Sequence, residues 1–322
     1  MSTSSILVIH HGALGDLILT YPILETLKLN SYNIHLLCRR SLGDLTCALG
    51  FSEKGFALES QEFVSLYSDS MANRMKELLK SYDAILLFSY SDFLSNNIQE
   101  QLDIPVFRIP PRPEAGLKIH VAGYLLSQFF SSGVIAPPVL SSEEFFCTWG
   151  KPIKRVLSNR VWIHPGAGSR EKMWPFPNFI KTAHLLRSLG LEPVFIFGPA
   201  EYELQESLIQ SGSDFENRLI SEILEFVDFF EEGARFLGND SGVTHLAAYL
   251  GMATLAIFGP SDPVRWRPLG QRVETLRPDT DCPPCFENGK RDCENKICFS
   301  GTTPHLVASR IKTFLQPLNL GS

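Results

Sequence analysis

Short apolar runs alternate with helix-period patterns along the chain, in two successive series. Residues 6–9 form a continuous β-type apolar run that reads as a buried strand. A helical pattern follows through Leu17, Ile18, Leu24 and Leu27, bent at Pro22. Further strands are predicted at 33–37, 84–88 and 105–109, the second of these after an amphipathic segment at 71–80. The second series places strands at 160–164, 193–197, 235–237 and 254–258. Its helices are predicted at 178–189, with Gly190 just past the end, at 243–250 and at 304–315. Strand-helix alternation of this kind implies parallel, doubly wound sheets, which bind ligands at the carboxyl ends of their strands.

Between the two series, 131–159 is rich in Ser, Gly and Pro and reads as a linker. The expected organisation is therefore an N-terminal domain over 1–150 and a C-terminal domain over 151–322. A length of 322 residues agrees with two domains, and 44% hydrophobic with 20% charged residues is ordinary for a globular protein. The net charge of −6 argues against a nucleic-acid partner. The start MSTSS has no signal-peptide character, and no apolar run is long enough to span a bilayer. The cytoplasm is the expected location, with peripheral contact at the inner membrane left open.

Three polar, glycine-containing turns sit at expected strand ends. The first is HHGALGD, residues 10–16, in which Asp16 has two readings: a carboxylate favourably placed at a helix N-terminus, or a base that takes a proton from a substrate hydroxyl. The second is HPGAGSREKMWP, residues 164–175, where small residues admit a ligand, Ser169 supplies a hydroxyl, and Lys172 and Arg170 supply charge. The plain alternative there is solvated charges with Trp174 as a packing anchor, and a helix that starts at Pro177. The third is FLGNDSGVTHLAAYLG, residues 236–251. Val243, Leu246, Ala247 and Leu250 make one apolar helical face in it, Asp240 or Ser241 is the N-cap, and His245 is expected on the opposite face, looking out of the core. A helix start in such a turn presents free N–H groups suited to a phosphate. Neither the Walker pattern nor GxGxxG is present in these turns, which weakens a dehydrogenase reading.

Taken together, these three turns, followed by FGPSDPVRW, resemble glycosyltransferase family 9, the ADP-heptose:lipopolysaccharide heptosyltransferases. The tail CPPCFENGKRDCENKIC is similar to the heptosyltransferase II-like branch. The resemblance implies an α/β GT-B fold, with two Rossmann-like doubly wound domains facing across a cleft, and an inverting, metal-independent transferase without a cofactor. It implies an ADP-heptose donor and a lipopolysaccharide inner-core acceptor. By the same resemblance Asp16 matches the general base, next to Gly15, and Lys172 matches the lysine on the donor diphosphate, with Ser169 nearby. Asp240, Ser241, Gly242, Val243 and His245 match the turn that holds the donor, and Glu201 (or Glu203) matches a carboxylate on the donor ribose. Transfer of another sugar, transfer to a protein, and nucleotide binding without catalysis remain as alternatives.

The chemistry of the residues agrees with that reading. A nucleoside diphosphate leaving group needs charge stabilisation, which Lys172 and the N–H groups after Asp240 can supply, and one carboxylate then suffices as base. Arg39, Arg40, Arg108, Arg112 and Lys118 are either phosphate contacts for the acceptor or plain surface charge. Cys282, Cys285, Cys293 and Cys298 are read as free thiols in a packed loop, with a structural metal site as the alternative.

Overall fold

The computed structural model describes residues 4–136, 149–151, 158–230, 234–288, 293 and 296–314. The chain divides into two compact units, Met1–Val139 and Leu140–Ser322. Most of the expected linker, 137–148 and 152–157, lies outside the described residues.

The first unit carries β1 (Ser5–His10), α1 (Leu14–Ile18), α2 (Tyr21–Leu29), β2 (Asn33–Cys38), α3 (Arg40–Ala48), β3 (Lys54–Ala57), α4 (Asn73–Lys80), β4 (Ala84–Phe88), α5 (Phe93–Gln101), β5 (Val106–Ile109) and α6 (Val121–Ser131). Its five strands are ordered β3-β2-β1-β4-β5, and all the pairs are parallel. The apolar runs of β1 and β4 are continuous because these central strands are covered on both faces. Leu7, Ile9, Ile85 and Leu87 pack with Phe63, Met75 and Ile98 on one of those faces.

The second unit carries β6 (Arg160–His164), α7 (Phe176–Ser188), β7 (Glu192–Phe197), α8 (Tyr202–Gln210), β8 (Glu216–Leu219), α9 (Ile223–Phe229), β9 (Arg235–Asn239), α10 (Gly242–Tyr249), β10 (Ala253–Ile257), α11 (Pro263–Trp266), β11 (Val273–Leu276) and α12 (Pro304–Phe314). Its sheet order, β11-β10-β9-β6-β7-β8, is again all parallel. Numbered within the unit this is the 3-2-1-4-5-6 order of a dinucleotide-binding fold, and the first unit repeats its first five strands. The order reverses between β1 and β4 in one unit and between β6 and β9 in the other. The crevices at those two points hold the residues of interest.

Several expectations are corrected. The helix after β1 does not bend at Pro22: the chain breaks into α1 and α2, with Pro22 in the first turn of α2, where its missing N–H costs nothing. α7 begins at Phe176, not at Pro177, with Pro175 as its N-cap and Pro177 inside the first turn. β3, β8 and β11 were not expected; each is a four-residue edge or outer strand. His245 is buried, at 2% exposure, because α10 is sunk against β9 and β10 from Thr244 to Tyr249 on every face. The N-cap of α10 is Ser241, whose Oγ accepts the Thr244 N–H.

Candidate active site

In the second unit, the crevice between β6 and β9 is built around Asn239, the last residue of β9. Its side chain is fully buried, accepting the Trp174 N–H at 2.9 Å and donating to the Pro165 carbonyl at 2.7 Å. It thereby ties the 164–175 turn to the end of β9. Thr244 Oγ1 donates to the Asn239 carbonyl at 2.6 Å, joining the start of α10 to the same point. Trp174 is held as well by a bond from Nε1 to the Thr302 carbonyl. This fixed loop delivers Lys172 to Asp240, with Nζ 2.8 Å from Oδ2.

Asp240 is fully buried, and burial alone would raise its pKa. The Lys172 charge, followed by the His245 ring (Nε2 3.7 Å from Oδ1), overcomes that and holds the carboxyl well below the usual carboxylate range. Both of its oxygens are thus engaged within the protein. The Lys172 ammonium also lies 4.4 Å from the Phe286 ring centre, and its side chain keeps 17% exposure. Beside it the N–H groups of Ser241, Gly242 and Val243 have no hydrogen-bond partner among the described residues, the usual state of a helix start. One ammonium, oriented by a buried carboxylate, and a row of free N–H groups is an arrangement for an anion.

In the first unit, a cavity of about 430 Å³ opens at the ends of β1 and β4. His10, His11, Gly12 and Asp16 line one side and Phe88, Tyr90 and Arg112 another. Asp16 Oδ2 accepts the Ala13 N–H at 3.2 Å, half of a capping box, which fixes the side chain. Its other oxygen has no partner among the described residues. Gly12 is required by close approach: a Cβ there would stand 2.7 Å from His10 Cε1 and 2.8 Å from Asp16 Cβ. His11 Nε2 lies 2.6 Å from Tyr67 Oη, and partial burial lowers the His11 pKa against the pull of the Phe88 carbonyl. Gly15 sits in α1 one residue before Asp16.

The sequence profile of glycosyltransferase family 9 (heptosyltransferase) matches residues 151–295, the stretch that contains Lys172 and Asp240. Over that stretch, a little under half of the chain, the sequence resembles glycosyltransferase family 9. It is 30% identical over 185 residues to lipopolysaccharide heptosyltransferase 1 of Pseudomonas aeruginosa, covering 52% of this chain and 49% of that protein. It is 28% identical over 113 residues to lipooligosaccharide heptosyltransferase 2 of Haemophilus influenzae, 33% of this chain and 32% of the other. These matches thus span between a third and a half of the curated relatives' lengths. The fold resemblance is broader: the structure of the E. coli ADP-heptose lipopolysaccharide heptosyltransferase II superposes with a TM-score of 0.70 at 18% identity, covering 97% of this chain and 98% of that one. Two parallel-sheet α/β units are the composition of the GT-B class.

Within the stretch that matches the family, the structure brings together Lys172, Asp240, Ser241, Gly242, Val243 and His245. Ser169 is adjacent in the chain, its hydroxyl donating to Glu171. Glu201 is 9% exposed and held inside: Oε2 accepts the Gly198 N–H at 2.9 Å and lies 3.7 Å from His164 Nε2. Burial raises its pKa and the His164 bond, with the Gly198 N–H, brings it net below the ordinary value. Glu203 is exposed beside Arg170. Asn239, His164 and Phe286 were missed by sequence reasoning; Asn239 was visible only as one polar residue of a turn. Arg265 is 2% exposed, with its Nε 2.6 Å from Glu287.

Cys282, Cys285, Cys293 and Cys298 are free thiols. Among the described residues no group of three His, Cys, Asp or Glu is arranged to hold a metal ion. Burial, followed by the neighbouring Cys282, pushes the Cys298 thiol up to about 11. No helix among the described residues is long and apolar enough to cross a membrane.

Proposed function

We propose that the chain transfers a heptose from ADP-heptose to an inner-core sugar of lipopolysaccharide, with inversion, by a metal-independent displacement. The observation that carries the donor half of this reading is the Lys172–Asp240 pair beside the open N–H groups of α10. Lys172 has three donors, of which Asp240 takes one, so the others are available to diphosphate oxygens. As the bond to the leaving diphosphate breaks, that ammonium and the N–H groups of Ser241 to Val243 stabilise the growing charge. Asp240 acts by orienting Lys172, and His245 by holding Asp240. Glu201 acts through the shape of the 164–168 turn, since Gly166 lies directly under its carboxylate. The acceptor half rests on Asp16, whose unpartnered oxygen takes the proton of the attacking hydroxyl in the first-unit cavity. The relatives, all heptosyltransferases of lipopolysaccharide or lipooligosaccharide, support the donor and acceptor class.

The test is ADP release from ADP-heptose, with and without heptose-deficient lipopolysaccharide. Asp16→Ala is expected to bind ADP as the wild type does and to lose acceptor-dependent release by about 10²–10⁴-fold, the usual contribution of a positioned base. Turnover at the wild-type rate in that variant removes Asp16 from the mechanism. ADP binding without release points to another nucleotide sugar or a protein acceptor, to be sought with a panel of both.

A further inference from the structure

The first-unit cavity contains a group that the reaction proposed above does not use. His10, the last residue of β1, is 2% exposed, yet its ring lines the cavity. Its Nδ1 accepts the Gly12 N–H at 3.2 Å. A neutral imidazole has one accepting and one donating nitrogen, so the proton sits on Nε2. That nitrogen has no partner among the described residues. Packing against Phe88, with ring centres 5.6 Å apart, and contact with Gly12 leave the ring no freedom to turn. Burial, with His11 adding to it, lowers the ring's pKa to about 3, so it is neutral at every physiological pH. Cε1, bonded to both nitrogens, approaches the same face of Gly12 as the Asp16 side chain does. The donor and the carboxylate therefore serve one small volume.

We propose that His10 determines acceptor specificity in this pocket: its Nε2–H donates a hydrogen bond to an oxygen of the acceptor sugar beside the hydroxyl that Asp16 deprotonates. This rests on the reading of the cavity as the acceptor pocket. In the cavity, a sugar hydroxyl or ring oxygen can accept the Nε2–H without the need for a charge. Arg112 is the one permanent cation among the residues lining the cavity, and its Nε is engaged with Tyr90 Oη at 3.0 Å. The site thus selects the neutral, hydroxyl-bearing face of a sugar at Asp16, while Arg112 takes any anionic substituent at the rim.

Two substitutions separate this role from a structural one. In His10→Asn the side-chain oxygen takes the place of Nδ1 and keeps the Gly12 bond, but nothing reaches into the cavity. In His10→Gln the side-chain amide takes the place of Nε2–H, and the Gly12 bond is lost. Acceptor-dependent ADP release is measured with ADP-heptose and deacylated, heptose-deficient lipopolysaccharide, with KM for each substrate and kcat kept apart. His10→Asn is expected to lower kcat/KM for the acceptor by about 3- to 10-fold, the loss of one neutral hydrogen bond, with the donor KM unchanged. His10→Gln is expected to stay within about twofold of the wild type, well inside one such bond. The reverse order, or two variants equally impaired or unimpaired, overturns the proposal while leaving the transferase reading in place. If the wild type binds the oligosaccharide without turnover, the ¹⁵N resonance of His10 Nε2 is followed instead. A shift on binding supports the proposal and an unmoved resonance overturns it. Absence of any binding overturns both the proposal and the acceptor reading.

Discussion

Lys172 and Asp240 show what a single charged pair does in this molecule. Asp240 is 3% exposed, and its ionised form is tolerated only because an ammonium stands 2.8 Å away. Removing one partner of such a buried pair leaves an uncompensated charge, at a cost of about 3–5 kcal/mol. Lys172→Met is therefore expected to lower stability by that order in urea denaturation. Adding Asp240→Leu is expected to restore most of the loss while ADP binding stays absent. A stability change under about 0.5 kcal/mol in the single variant, the range of ordinary surface substitutions, contradicts the pairing. His10 acts in the opposite sense. Its folded pKa, about 3, lies below the ordinary histidine value, so between the two the unfolded chain binds the extra proton. Stability from this residue is complete above about pH 6.5 and falls as the pH drops towards the folded value, by about 1.4 kcal/mol per pH unit at most. His11, Asp16 and Arg112 line the same cavity and are unchanged in His10→Gln, so the comparison is with that variant. Urea midpoints from pH 7 to 4.5 are expected to fall more steeply for the wild type; parallel curves refute a buried neutral His10.

At the scale of elements, legibility followed burial. Residues 84–88 and 160–164 coincide with β4 and β6, since strands covered on both faces carry continuous apolar runs, AILLF in one and VWI in the other. The edge strands KGFA, ENRL and VETL carry no such signal. One face or edge meets solvent, and their strand geometry is imposed by the neighbours β2, β7 and β10. The same physics explains His245: an apolar stripe located one face of α10, but could not tell that the polar face is also buried, against a buried carboxylate. Lys172 and Asp240 were legible as members of turns with the family's pattern. Their contact was not, because it depends on the 164–175 turn being fixed by Asn239 and Trp174, through bonds between residues 65 positions apart. Pro22 was misplaced for a different reason. A proline inside an apolar helical pattern either kinks a helix or starts one; here the chain breaks after α1, where the Thr20 hydroxyl donates back to the Leu17 carbonyl, and Pro22 falls in the first turn of α2.

Across the whole molecule, one topology occurs twice and carries two different sets of polar groups. Each parallel sheet reverses its strand order next to its first strand, and each crevice begins where that strand ends, at His10 in one unit and His164 in the other. The first crevice holds a carboxylate with an open oxygen and a neutral ring. The second holds a fixed ammonium and a helix start. The first is suited to a hydroxyl that must lose a proton, and the second to a diphosphate. Assignment of donor and acceptor therefore rests on the chemistry of the two sites, and hydrogen exchange can test it. ADP at about 100 times its Kd stabilises the state that binds it by about 2.7 kcal/mol, enough to slow exchange through unfolding about 100-fold. Protection is expected at the amides of 241–243, which have no internal partner, and across 166–172. Under the proposed assignment, the amides of 10–16 in the first crevice gain protection on addition of the deacylated acceptor. If ADP protects 10–16 and leaves 241–243 unchanged, the two sites are reversed, and Lys172 with Asp240 is a structural pair only.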